Sequence, residues 1–188
     1  MLIRAIGGWT GSEGVIAGFG IMDFTGGDIV AKHLSSDTGS VSIRLGAYGG
    51  FTSGKGTGGD GKILADGITA ESGGGNVWFE AIGSVMGYDA DGHGAGSGSI
   101  ETSGAIKAES LNGGNASVTA TEGSADSSAA ILSGGTGTII SEVITVKSNY
   151  TGKAEVSAVG TTQKGSISGR AEVNSGAGQS RSRRAPVR

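Results

Sequence analysis

A chain of 188 residues with 40 glycines, one proline and 5% aromatic residues is long enough for one domain or one stack of small repeats. Charged residues make up 16% and the formal net charge is −3, so the body offers no basic stripe for nucleic acid. The absence of cysteine excludes disulfide staples, thiolate catalysis and cysteine-based zinc sites.

Glycine and serine dominate, yet Ile and Val recur at ordered places, which separates the chain from a disordered linker. The opening "MLIRAI" is too short for the apolar core of a signal peptide. No apolar run reaches the roughly 18 residues of a membrane helix, so no membrane span is expected. Residues 1–25 read as an N-terminal cap or first irregular coil, with a loose repeat copy starting at "GVIAGFGIMDFTGG". From residue 26 the copies become clear. "GGDIVAKHLSSDTGSVSIRLGAYG" covers 26–49 and "GKILADGITAESGGGNVWFEAIG" covers 61–83. "GSIETSGAIKAESLNGGNASVTATEG" covers 98–123, "GTIISEVITVKSNYTGKAEVSAVG" covers 137–160, and "GSISGRAEVNSG" ends the series at 176. The leading isoleucines are Ile29, Ile63, Ile100, Ile139 and Ile167. The slack in their spacing falls in Gly/Ser stretches such as 83–98 and 123–137. The last segment, 177–188, is a basic tail with Arg181, Arg183, Arg184 and Arg188; it is expected to be solvated and loose, with contact to an acidic partner or lipid as the alternative.

Within each copy the period is two. Val41, Ile43 and Leu45 alternate with Ser42, Arg44 and Gly46, and Val77, Phe79 and Ala81 alternate with Asn76, Trp78 and Glu80. Side chains two apart share one face of a strand, and no stretch of ten carries a helical stripe. An all-β fold follows. Short strands, one or two inward aliphatics each, then a turn, repeated, describe a β-solenoid over 26–176. Stacking neighbours completes a core that one copy cannot bury alone. The spacing predicts three inward ladders: Ile63/Ile100/Ile139, Ile68/Ile106/Ile144 and Val77/Val118/Val156. Ala65, Ala70, Ala108, Ala120 and Ala158 suit a narrow interior, and the glycines suit corners of positive φ. Each unit makes either two coils or one coil plus a variable Gly-rich turn. The alternative architecture, a β-sandwich, would need larger core residues and more turn proline.

Chemistry is sparse. His33 and His93 are the two histidines, and neither sits in a catalytic motif. Asp89 and Asp91 in "YDADGHGAG" resemble the start of a calcium loop, but no third Asp and no bidentate Glu follow, so a plain polar turn is the competing reading. "GKGTGGDGKI" at 54–63 carries a single defective copy of a calcium-binding nonapeptide and lacks the end of a phosphate loop. The outward charges Arg44, Glu80, Lys107 and Glu109 form no repeated cluster of the kind a β-helical polysaccharide enzyme needs. No cofactor is expected. Trp78 alternates with inward Val77 and Phe79, so it faces outward. It is the candidate contact for a sugar or a protein, unless a Gly-rich loop such as 84–98 covers it.

The phrase "GSIETSGAIKAES…GGNASVTATEG" resembles the repeats of filamentous-haemagglutinin-like adhesins, the exoproteins of two-partner secretion. The residues that carry it are the "GxI…IxAxS" halves, Gly61 to Ser72 and Gly98 to Ser110, and the "GGN" turns before Val77 and Val118. The likeness covers roughly residues 26–176. It implies a right-handed parallel β-helix in an extracellular or cell-surface protein that adheres or spaces, with a host-surface glycan or protein as partner. The resulting expectation is a non-enzymatic structural or adhesive segment. The alternatives are a self-assembling filament subunit, joined end to end, or a ligand-binding solenoid, with a polysaccharide-active β-helix enzyme behind them.

Overall fold

The computed structural model describes residues 1–7, 15–16, 18–33, 41–50, 56–83, 96–121, 136–159 and 166–175. Every element among them is a β-strand: β1 (Leu2–Ile6), β2 (Val15–Ile16), β3 (Gly20–His33), β4 (Ile43–Tyr48), β5 (Gly56–Thr57), β6 (Gly61–Ser72), β7 (Val77–Ile82), β8 (Gly98–Thr102), β9 (Ala105–Ser110), β10 (Ala116–Thr121), β11 (Gly137–Ser148), β12 (Ala154–Val159) and β13 (Ser166–Ser175). The all-β expectation holds. The chain alternates between two parallel sheets. The first has the order β1-β4-β7-β10-β12, the second β3-β6-β8-β11-β13, with β9 continuing β8 between β6 and β11. The short β2 and β5 pair separately. Each sequence unit supplies one strand position to each sheet, which selects one round plus a variable connection over two coils per unit. Strand β3 runs through residues 25 and 26, and the tail 177–188 lies outside the described residues.

Period-two alternation decides which side chains go inside. The second sheet stacks Met22, Ile63, Ile100 and Ile139 in one column and Ile29, Ile68, Ile106 and Ile144 in another. The first sheet stacks Ile3, Leu45, Phe79, Val118 and Val156 beside an alanine column of Ala5, Ala47, Ala81, Ala120 and Ala158. These columns meet in one core, in which Phe79 is the largest fully buried side chain among the described residues. Each fully buried Ile or Val contributes about 1.5–3 kcal/mol relative to exposure.

Two ladders are as predicted and one is not. Ile63/Ile100/Ile139 and Ile68/Ile106/Ile144 pair in register. Val77 pairs with Ala116, while Val118 pairs with Phe79 and Val156, so the third ladder shifts by two residues and keeps its face. The turn sets that shift. The Asn115 N–H donates to the Asn76 side-chain oxygen at 2.7 Å, and the Lys153 N–H donates to the Asn115 side-chain oxygen at 2.8 Å. Asparagine stacks on asparagine, so the residues that follow Asn76 and Asn115 are partners. Ile29 also moves, to the column of Ile68, because a register shift lies between Phe24 and Asp28; Met22 fills the leading place.

Gly113, in the turn at 111–115, has the positive φ expected of a corner, but the glycines that open the second sheet's strands serve a different purpose. Among the described residues only Gly26, Gly113 and Tyr150 have positive φ. Gly98, by contrast, lies against the backbone carbonyls of Ala81 and Thr121 in the opposite sheet, where a Cβ would collide. Gly61 and Gly137 share its column. Here the two sheets converge, and only a residue without a side chain fits between them.

The two kinds of connection differ. From the second sheet to the first the chain turns within 73–76, 111–115 and 149–153. These turns are closed by serines at the strand ends. The Ser110 hydroxyl donates to the Gly75 carbonyl at 2.9 Å, and the Ser148 hydroxyl to the Gly114 carbonyl at 2.7 Å. The Ser72 hydroxyl donates to the Val41 carbonyl at 2.7 Å and accepts from the Gly75 N–H at 2.8 Å. From the first sheet to the second the connections span 49–60, 83–97, 122–136 and 160–165. Their lengths vary, yet the strands they join remain in register.

Candidate functional site

Trp78 lies on the outer face of β7, in register with Arg44 on β4 and Ser117 on β10. It faces outward as alternation predicts and is half-buried. Its neighbours form a compact polar group. Gly46 sits between Arg44 and Tyr48 on the same face of β4. The Tyr48 ring folds back over Gly46, occupying the space a Cβ would need. Its hydroxyl donates to Glu80 Oε2 at 2.8 Å. Arg44 donates to the same oxygen from Nε at 3.2 Å and from Nη2 at 2.6 Å. The guanidinium carbon stands 6.0 Å from the Tyr48 ring centroid, inside cation–π range.

The charges in this group are mutually satisfied. The hydrogen bond to Glu80 holds the Arg44 guanidinium above its ordinary pKa. Burial pushes the Tyr48 phenol up, and donation to the Glu80 carboxylate pushes it the same way. Three donors converge on Oε2, and Oε1 receives none of these three bonds. The surface therefore combines an indole, a phenol ring, a fixed carboxylate and the outward hydroxyls of Ser117 and Thr119. That set can stack on an apolar ring face and accept hydrogen bonds from hydroxyls.

A second charged group lies on the outer face of the other sheet. Glu71 on β6 takes Lys32 from β3 at 3.3 Å and Lys107 from β9 at 2.7 Å, and Lys107 also meets Glu109 at 3.2 Å. The hydrogen bond from Lys107 holds the Glu71 carboxyl below the usual carboxylate range, and the same bond raises the Lys107 ammonium. Thus Arg44 and Glu80 belong to one group and Lys107 and Glu109 to another. Laying "SIRLGAYG" over "NVWFEAIG" with Ile43 on Val77 sets Arg44 opposite Trp78 and Gly46 opposite Glu80, so the diagonal contact of Arg44 with Glu80 shows only once both strands are paired.

The metal candidates Asp89 and Asp91, together with His93, lie outside the described residues. His33 ends β3 and is paired through its backbone with Ser72. Asp60, from the nonapeptide-like stretch, has a structural partner, for its carboxylate accepts the Ser97 N–H at 2.7 Å. Among the described residues no three His, Cys, Asp or Glu side chains come together as a metal site, and no helix is long and apolar enough to cross a membrane. Comparison with protein-family models, curated proteins and solved structures returns no match.

Proposed function

We propose that the chain is a right-handed parallel β-helix and serves as a non-enzymatic structural and adhesive segment of a secreted or cell-surface protein. One observation carries this reading. Inward columns continue in register across four and five strands of two parallel sheets, so the molecule can be lengthened by rounds without redesigning its core. A body of that kind holds a surface at a distance. The repeat's likeness to filamentous-haemagglutinin-like adhesins supports the extracellular assignment. The test is protease accessibility on native cells. Digestion by protease added outside intact cells supports the surface role; protection until lysis overturns it.

A second reading concerns what the segment contacts. The Trp78, Tyr48 and Glu80 surface favours a host-surface glycan, because an outward, half-buried indole beside a fixed acceptor matches the mixed apolar and hydroxyl faces of a sugar. Immobilised chain is expected to retain oligosaccharides on a glycan array, and Trp78→Ala is expected to weaken retention about tenfold without altering the melting temperature. Equal retention by the variant removes the glycan contact from this face.

A further inference from the structure

The ends of the two sheets coincide. Among the described residues, β1 and β3 are the edge strands at one end of the stack, and β12 and β13 are the edge strands at the other. All pairing between them is parallel, so both ends run in the same direction. The donors and acceptors on the outer edge of β1 are therefore of the kind that β12 offers on its own outer edge. Such edges recruit another strand unless they are covered.

Side chains agree with the backbone. In the middle of the stack the first sheet's columns are fully buried, at Leu45, Phe79 and Val118. At the two ends the same columns are only partly buried, at Ile3 and Ala5 on one side and at Val156 and Ala158 on the other. Several outward apolar residues sit at these ends too. Leu2 and Ile6 on β1 are 57% and 61% exposed, and Val159 on β12 is 44% exposed.

We propose that a second copy of this chain docks on the β1/β3 end through its own β12/β13 end, continuing both sheets in their existing register. The columns name the partners. Val156 belongs to the column of Ile3, Ala158 to that of Ala5, and Val159 to that of Ile6. Across the junction, apolar residue meets apolar residue at all three positions. In the second sheet Ile167 belongs to the column of Met22. The junction joins two different surfaces, so it does not close on itself as a twofold dimer would, and it propagates into a filament. This rests on the observed strand pairing and not on the surface role, which a monomeric chain would leave standing.

Two exposed positions test it. Ile6→Lys places a charge on the β1 end, and Val159→Lys does the same on the β12 end; neither side chain belongs to the core. Sedimentation velocity across a dilution series is expected to show the unmodified chain growing beyond a dimer with concentration. Each variant alone, folded by circular dichroism, is expected to need about tenfold or more concentration to associate. An equimolar mixture of the two keeps one intact junction, and its mass is expected to stop at a dimer. A concentration-independent monomer, an unmodified chain that stops at a dimer, or variants that polymerise like the unmodified chain would each overturn the proposal.

Discussion

Ser72, Ser110 and Ser148 occupy one column at the end of the second sheet's strands, and all three are fully buried. A buried hydroxyl needs a partner, and here each reaches a backbone carbonyl of an earlier round. The serine thus satisfies a carbonyl that the turn leaves outside the sheet ladder. Ser110→Ala removes the donor and strands the Gly75 carbonyl. It is expected to cost about 1–3 kcal/mol in urea unfolding. Tyr150 is the opposite case. It holds φ at 61°, a region that costs an ordinary L-residue about 1–2 kcal/mol. Its side chain is 69% exposed, so little packing repays the strain. Asn tolerates this conformation, and Tyr150→Asn is expected to raise stability by about 0.5–1 kcal/mol, read as a higher melting temperature.

At the scale of the strand, the face of each side chain was legible, the register of the second sheet's two isoleucine ladders was legible, and the register of β7 in the first sheet was not. Period two is a property of one strand alone, so Trp78 outward and Phe79 inward could be read from "VWFEA". Pairing Val77 with Ala116 depends on the turn before it, where asparagine hydrogen bonds outweigh the match of valine with valine. The polar group at Glu80 was hidden for the same reason, since its members come from two strands. The glycine column was legible as a pattern but not in its cause, because the close approach involves the opposite sheet. Cross-strand charge is likewise visible only after pairing. The Lys107 bond keeps the Glu71 carboxyl below its ordinary value. Its contribution is present above about pH 4.3 and is lost as pH falls through the lowered folded value. Melting temperature is therefore expected to fall between about pH 5 and pH 3, with a shallower fall in Glu71→Gln.

At the scale of the molecule, the turns at 111–115 and 149–153 set the register through their asparagine bonds. Two residues added after Asn112 displace Asn115 from Asn76 and are expected to destabilise every later strand, seen as a large drop in melting temperature. The strand pairing also has a mechanical consequence. Its backbone hydrogen bonds all point along the direction in which the rounds stack, so tension applied along that direction opens one strand pair at a time. Stacked turn partners lie 38 and 39 residues apart in the chain. First-sheet partners across the whole stack lie 42, 34, 39 and 38 residues apart, so each released round should lengthen the molecule by about 110–150 Å, giving steps of unequal length at low force in a single-molecule extension trace. Under stretch, the protein would behave as a tether that pays out one round at a time, each by the length its own connection sets.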